Sequence, residues 1–298
     1  MTRISIKQLI ESGVHFGHST SRWNPKMARF IYGKRNAIHI IDLRETIKGL
    51  LQACAILKKM GERGQDILLV GTKKAAREAV KGEANRAEVP WATERWLGGT
   101  FTNFKTIKSR VQRLNKLEEL NKTGEISNYS KKVIAKYNRE QRKLLRNLGG
   151  IRDMNKLPEL LIVVDPRREK SAVAEANRLD IPVIALTDTD CDPDRVDVVI
   201  PGNDDALRSV KCIIGMMMDS FLEGNKKRKL SALPPTKIKE KPTATPEKSS
   251  ATPEKPAATP EKSSAIPEKP VVTPAPTETK SDAKTGPTEP PGKTSANG

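Results

Sequence analysis

The chain contains 298 residues, and its 54 Lys and Arg residues against 36 Asp and Glu residues give a formal charge of +18. No apolar run approaches the roughly 18–20 residues that span a bilayer, and we expect no secretory signal at the start. Three widely spaced cysteines, Cys54, Cys191 and Cys212, suit a reducing compartment and form no zinc-binding pattern. These features argue against a membrane protein, a disulfide-rich scaffold and a cysteine-rich zinc module.

The positive charge is confined to two segments of the chain. Residues 1–37 contain seven basic residues and one acid, and residues 105–152 contain 14 basic residues and four acids. Residues 38–104 and 153–230 together carry 23 charges of each sign, while residues 231–298 carry ten lysines and eight acids. Charge concentrated in this way predicts a surface that binds a polyanion. The alternative is a solvated charged face, although such faces usually mix both signs.

The first basic segment, residues 1–37, is predicted to be an N-terminal arm in which aromatic and basic side chains alternate. Rings can stack on unpaired bases and basic groups can neutralise phosphates, so the combination is typical of RNA binding. Alternatively, the rings anchor the arm to the rest of the protein, and we expect both roles. The candidate RNA-binding residues of the arm are Arg22, Trp23, Asn24, Lys26, Lys34 and Arg35.

Two histidines of the arm, His15 and His18, lie three residues apart. His39 is the only other histidine in the chain, and two ligands without a third candidate nearby make a poor zinc site. We therefore predict that these histidines pack within the protein or contact RNA.

Residues 38–104 and 151–230 alternate between short apolar runs and amphipathic stretches with helical spacing. Apolar strands that are covered on both faces and joined by helices predict a parallel sheet in a three-layer α/β sandwich. The five predicted strands are Ile38–Ile41, Asp66–Val70, Leu160–Val164, Pro182–Leu186 and Val196–Ile200. The predicted helices are Glu45–Met60, Lys73–Arg86, Glu169–Leu179 and one from about Asn203 to Leu222.

The turn at Gly71-Thr72 joins a predicted strand to a predicted helix, which is where nucleotide enzymes bind phosphate. It lacks the residues of a P-loop, and the chain has no Gly-x-Gly-x-x-Gly pattern. The helix start with Lys73 and Lys74 can still hold one phosphate of an RNA backbone. The alternative is an ordinary turn with solvated lysines.

Four aspartates alternate along the loop after the fourth predicted strand: Asp188, Asp190, Asp192 and Asp194. Calcium loops use this spacing, but Pro193 stands where such a loop needs glycine, and Val199 stands where it needs glutamate. We predict that these aspartates start turns or helices, and we expect no metal site.

A second stretch that mixes aromatic and basic residues, 91–105, leads into the second basic segment. Its rings have the same two possible roles as those of the arm. Its candidate RNA-binding residues are Arg95, Asn103 and Lys105.

Residues 105–150 are predicted to form two helices separated by a stop at Asn121–Gly124, with Ser130 capping the second helix. Apolar residues recur every three or four positions, namely Ile107, Val111, Leu114, Leu117 and Leu120, then Val133, Tyr137, Leu144 and Leu148, with Gln141 interrupting the second series. Such narrow stripes favour an antiparallel coiled-coil hairpin that projects from the sandwich. Its candidate RNA-binding residues are Lys105, Lys108, Arg110, Arg113, Lys131, Lys132, Lys136 and Arg139.

Residues 231–298 contain no aromatic residue and hold 14 of the 21 prolines. Such a composition cannot bury enough apolar surface to offset the entropy of ordering, so we predict a disordered C-terminal tail. Pro-Glu-Lys recurs at 246, 253, 260 and 267, and the proline in every repeat excludes a helix.

Many short blocks of the chain, taken together and in order, resemble one protein family. They include Gly13–His18, Trp23–Met27, His39–Leu43, Val70–Lys73, Arg95–Thr100, Leu148–Ile151, Pro158–Pro182 and Ile200–Ala206. Over nearly all of residues 2–224 the chain resembles bacterial ribosomal protein S-two, the second protein of the small subunit. The resemblance implies a flavodoxin-like α/β sandwich with an inserted coiled-coil hairpin. It further implies binding to small-subunit ribosomal RNA and a role in docking ribosomal protein S-one.

We therefore expect a structural RNA-binding protein of the small ribosomal subunit, located on cytoplasmic ribosomes, rather than an enzyme. The expected partners are small-subunit ribosomal RNA and neighbouring ribosomal proteins including S-one. We expect no membrane, no small-molecule substrate and no cofactor. The rival hypothesis is a nucleotide-dependent α/β enzyme that uses the Gly71-Thr72-Lys73 turn, and a third is an RNA chaperone outside the ribosome.

Overall fold

Five parallel strands form the central sheet of the computed structural model, which describes residues 5–231. They are β4 (Ile67–Val70), β5 (Trp91–Ala92), β6 (Leu160–Val164), β7 (Val183–Thr187) and β8 (Val198–Pro201). Their order across the sheet is β5–β4–β6–β7–β8, which is the flavodoxin-like 2-1-3-4-5 order of doubly wound folds. The predicted α/β fold with a five-stranded parallel sheet is confirmed. The disordered tail was predicted for residues 231–298, of which Ser231 is the last residue of a helix and residues 232–298 lie outside the described residues.

One of the five predicted strands was assigned to the wrong sheet. Ile38–Ile41, here β3, pairs antiparallel with β1 (Phe16–Ser19) and β2 (Ile31–Arg35) in a separate three-stranded sheet. The turn between β2 and β3 has positive φ at its two central residues, 49° at Asn36 and 59° at Ala37, as a tight hairpin turn requires. The fifth parallel strand is instead β5, whose two residues are too few to show a strand pattern in the sequence.

Helices cover both faces of the central sheet. One face packs on α2 (Leu43–Arg63), α3 (Lys74–Ala87) and α7 (Leu207–Ser231), and the other packs on α6 (Lys170–Arg178) and the start of α4 (Phe104–Lys122). Alternate residues of β4 point into the two cores, so that Leu69 lies in one and Leu68 in the other. This two-sided burial explains why the strands are apolar at every position.

The second basic segment forms α4 and α5 (Lys131–Leu148), so the two predicted helices are confirmed. The predicted apolar stripe of α4 is buried from Ile107 to Leu117, and that of α5 is half-buried until Leu148. Arg113 of α4 contacts Glu140 of α5 at 3.2 Å, so the helices touch each other. Coiled-coil packing between them stays a prediction.

A short helix, α1 (Ile6–Glu11), precedes β1 in the N-terminal arm. Among residues 5–231, no helix combines the length and the apolar composition that crossing a bilayer would require.

Candidate nucleic-acid interface

Four strands of the central sheet end at the same edge, and polar residues follow each of them closely. Lys73 comes after β4, Asp165 after β6, Asp188 after β7 and Asp204 after β8. Because the strands are parallel, these residues gather at the carboxyl edge of the sheet. In doubly wound folds this edge, near the point where the strand order reverses, is the usual place for a ligand. In this protein it holds a network of ion pairs.

Lys73 is bound inside this network. Its Nζ lies 2.5 Å from carboxylate oxygens of both Asp204 and Asp205 and 3.8 Å from Asp165. Burial lowers the pKa of Lys73, but the charge of Asp204 and the hydrogen bonds to both aspartates outweigh it, so the pKa is raised. The ammonium group thus neutralises protein carboxylates, which argues against the predicted contact between Lys73 and an RNA phosphate. Its neighbour Lys74 is exposed.

The arm reaches the same edge through His18. The imidazole Nδ1 lies 3.0 Å from Asp188, and Nε2 lies 3.2 Å from Asp205. The Asp188 carboxylate raises the pKa of His18 to about 8 against the opposing effect of burial, and the charges of Asp190 and Asp204 add to the rise. A protonated His18 therefore ties the arm to the sheet near neutral pH.

The sequence shows no third metal ligand close to the two arm histidines, but the fold supplies one. His18, Asp188 and Asp204 bring one ligand atom each within 4.8 Å of the others, and Asp165, Cys191 and Asp204 form a second such group. Asp204 is fully buried, and its Oδ2 has no hydrogen-bond partner among residues 5–231. Burial, followed by the charges of Asp188 and Asp165, raises the pKa of Asp204 to about 7. The third candidate ligand that the sequence did not show is thus supplied by the fold, while His18 packs against protein carboxylates, as one of its two predicted roles requires.

Backbone hydrogen bonds fasten the arm along this edge. His18 N donates to Thr189 Oγ1 at 3.1 Å, and Asn24 N donates to the Thr189 carbonyl at 2.8 Å. Asn203 N in turn donates to the Val14 carbonyl at 3.0 Å. The arm is thus packed against the sandwich, and some of its backbone hydrogen-bonding groups are already bound to it.

Two candidate RNA-binding residues of the arm are paired with acids of the loop after β7. Arg22 lies 3.1 Å from Asp190, and Lys26 lies 3.0 Å from Asp192 and 2.5 Å from Asp194. These aspartates therefore hold arm cations, which is a role that the alternating spacing in the sequence did not indicate.

Of the other four arm candidates, Asn24 is half-buried, and Trp23, Lys34 and Arg35 are exposed. Asn24 accepts a hydrogen bond from Lys26 N and so starts a short 3₁₀ turn. The Trp23 ring packs at 5.3 Å from the His39 ring, between ring centres. Lys34 and Arg35 lie exposed on β2, and neither forms an ion pair within residues 5–231. Among the arm candidates, they are the cations that remain available to a polyanion.

Glu175 of α6 organises the turn that leads into α4, a function that sequence reasoning missed. Its two carboxylate oxygens accept hydrogen bonds from the backbone N–H groups of Gly99, Phe101 and Thr102 at 2.8, 3.0 and 3.2 Å. Trp96 Nε1 donates to the same carboxylate at 3.1 Å, so the one polar atom of this buried ring has a partner. Burial raises the pKa of Glu175, but these donors together outweigh it, and the pKa is lowered.

Replacing Glu175 by Gln should lower the free energy of unfolding by about 2 kcal/mol at pH 7, because an amide nitrogen would face backbone donors. Since the folded-state pKa of Glu175 is lowered, its stabilisation is present above the unfolded-state pKa and is lost as the pH falls through the folded-state value. The difference between the two proteins should therefore shrink below about pH 4. Urea unfolding at several pH values measures this difference in the free energy of unfolding. Glu78→Gln, an exposed change on α3, is the control, and a pH-independent difference for Glu175→Gln would contradict the assignment.

The remaining candidates lie on or beside the helical hairpin. Arg95 and Asn103 are exposed in the turn before α4, and Arg113 is half-buried against Glu140. The other hairpin candidates are exposed, and within residues 5–231 none of them contacts a carboxylate as an ion pair: Lys105, Lys108, Arg110, Lys131, Lys132, Lys136 and Arg139. We call these seven side chains the hairpin cations. They form the largest group of unpaired positive charge among the predicted site residues.

Together, these features define a structural α/β protein whose sheet edge is closed by its own ion pairs and whose second basic segment carries exposed cations without ion-pair partners in the described part of the chain. The family model described as Ribosomal protein S2 matches residues 9–224, so the chain belongs to this family of structural proteins of the small ribosomal subunit. The chain is also 52% identical to small ribosomal subunit protein uS2 of Rhodopirellula baltica over 229 residues, which cover 77% of this chain and 88% of that relative. The resemblance seen in the sequence is confirmed, and the enzyme hypothesis is rejected.

Proposed function

We propose that this protein binds small-subunit ribosomal RNA, with the hairpin cations as its principal contact. The observation that carries the proposal is that these seven side chains are exposed and have no ion-pair partner within residues 5–231. A solvated helix face of a structural protein usually mixes opposite charges, whereas unpaired cations gain by releasing counterions from a phosphate backbone. Membership of a small-subunit ribosomal family supports RNA as the polyanion.

The arm and the turns beside the sheet would add weaker contacts. Lys34, Arg35, Lys74 and Arg95 are exposed cations without an ion-pair partner within the described part of the chain. Asn103 is exposed at the start of α4, next to the hairpin cations. Arg22 and Lys26 would have to share their charge with the loop aspartates, so we assign them less of the binding free energy.

The same proposal includes the finer features that the resemblance implies. The hairpin of residues 105–150 would pack as a coiled coil and project from the sandwich, since its apolar stripes are narrow and its remaining faces are charged. The arm and sandwich would meet neighbouring proteins of the subunit, including ribosomal protein S-one. Family membership is the support for the S-one partner, and subunits that lack this chain should lose S-one and regain it when the chain is added.

Sedimentation of the native protein through a sucrose gradient tests the proposed function. At low salt we expect the protein to sediment with the small ribosomal subunit, and at high salt we expect partial release because the phosphate contacts are screened. A protein that stays at the top of the gradient at every salt concentration would favour the RNA chaperone outside the ribosome.

A further inference from the structure

A surface pocket of about 370 Å³ lies between the arm and the beginning of α6, beside the carboxyl edge of the sheet. Trp23 and Pro25 of the arm line it together with Pro166, Lys170 and Val173. Small-molecule sites in proteins begin at about 300 Å³, so the pocket has room for a group of the size of one nucleotide. The sequence patterns named Trp23 as a candidate RNA contact but did not indicate this pocket.

Trp23 gives the pocket an aromatic surface. The residue is 41% exposed, although tryptophan is highly buried on average in folded proteins. The indole packs against His39, with 5.3 Å between ring centres, and it also lines the pocket. A ring that is held in place and still accessible can stack on another flat group, and nucleic acid bases stack on such rings with little dependence on their identity.

The charges of the pocket favour an anion beside this ring. Both carboxylates in its lining are paired with cations of the lining: Asp190 lies 2.5 Å from Arg167, and Asp192 lies 3.7 Å from Arg195. Two arm cations contact the same carboxylates from outside the pocket. Lys170 is exposed, and no carboxylate within residues 5–231 forms an ion pair with it. Its ammonium group is therefore available for a phosphate.

We propose that this pocket binds one unstacked base of RNA on the Trp23 ring, with an adjacent phosphate on Lys170. The inference rests on the proposed RNA-binding function and adds a site for a single nucleotide to it. Bases inside a duplex are stacked on each other, so the site takes a base from a loop, a bulge or a strand end. If the pocket bound an apolar peptide side chain, Lys170 would have no contact with the ligand. If it bound a phosphate alone, the Trp23 ring would have none.

Tryptophan fluorescence measures this stacking. The full-length protein is titrated with small-subunit ribosomal RNA, and a Trp23→Phe variant gives the signal of Trp91 and Trp96 alone. We expect quenching on binding that the variant lacks. Trp23→Leu, which removes the aromatic surface, should bind about 5- to 100-fold more weakly. Lys170→Gln should reduce the slope of log affinity against log salt by about one phosphate contact.

Matched controls separate the pocket from general effects of charge and hydrophobicity. Tyr32→Leu removes a ring that is 78% exposed on β2, and Lys211→Gln removes an exposed cation on α7. Both controls should bind RNA as the original protein does. Circular dichroism shows whether each variant is folded, and Lys170→Gln, a surface change, tests the site even if Trp23→Leu does not fold.

The outcomes distinguish the site from the function on which it rests. If the original protein binds the RNA in a salt-dependent manner while its fluorescence and both pocket variants are unaffected, the pocket assignment is wrong and RNA binding stands. If the original protein does not bind the RNA, the proposed function fails with it. Crosslinking from position 23 to a ribosomal protein in the assembled subunit would also overturn the assignment.

Discussion

A variant with all seven hairpin cations replaced by Gln should bind small-subunit ribosomal RNA at least about 100-fold more weakly than the original protein at ~0.1 M salt. Each phosphate contact contributes roughly 0.7–0.9 to the slope of log affinity against log salt. If at least half of the seven contact phosphate, the slope should become shallower by about 3–6. Filter binding at several salt concentrations measures both quantities. The physical reason is that these side chains are exposed and have no ion-pair partner within residues 5–231, so no directly bound carboxylate competes with the RNA for them.

A control variant of equal charge separates the effect of where these residues lie from the effect of the net charge of the protein. It replaces seven exposed cations of the sandwich helices that have no ion-pair partner within residues 5–231: Lys59, Arg63, Arg178, Arg208, Lys211, Lys226 and Lys229. Both variants lower the net charge by the same amount, but we expect the control to lose far less affinity. Equal losses of affinity in the two variants would mean that RNA binding depends only on the net charge of the protein. The proposed role of the hairpin would then be wrong.

Replacing Lys73 by Met should lower the free energy of unfolding by about 3–5 kcal/mol, because it leaves buried carboxylates without their cation. Asp204 is fully buried and has Lys73 Nζ 2.5 Å from its Oδ1. The melting temperature should fall by about 6–20 °C for a folded part of this size. Thermal unfolding followed by circular dichroism provides the measurement.

Lys74→Met is the matched control, since Lys74 is the adjacent residue and is exposed. We expect it to change the free energy of unfolding by less than about 0.5 kcal/mol. If Lys73→Met unfolds like the control, Lys73 is not neutralising the sheet edge, and its predicted contact with an RNA phosphate would have to be reconsidered.

The parts of the fold that could be predicted from the sequence are those whose burial leaves a local pattern. The strand Leu160–Val164 was predicted with the boundaries that the structure shows, because a strand covered on both faces must be apolar at every position. The prediction of Glu45–Met60 likewise falls within α2, which runs from Leu43 to Arg63. In each case the way a segment is buried determines which of its own positions are apolar.

Strand pairing left no such pattern. Three of the four residues of Ile38–Ile41 are isoleucine, yet the partners of this strand are arm residues. The hairpin turn at Asn36-Ala37 uses an alanine with positive φ, which is rare. The edge strand Trp91–Ala92 consists of two residues that pair with β4. Two residues are too few to show an alternation of apolar and polar side chains. The Glu175 carboxylate was missed for a similar reason, since its donors lie 73–79 positions earlier in the chain.

The sequence by itself determined where the positive charge lies along the chain, and the structure agrees that the hairpin cations are exposed. Only the tertiary structure decided which charges remain free. Lys73 and Asp204 are 131 positions apart, and His18 and Asp188 are 170 apart, yet both pairs meet at the carboxyl edge of the sheet. Electrostatic energy depends on distance through space, and composition counts charges without regard to the pairs that folding creates. Some cations of the chain therefore neutralise its own carboxylates, and others stay exposed and available to a partner.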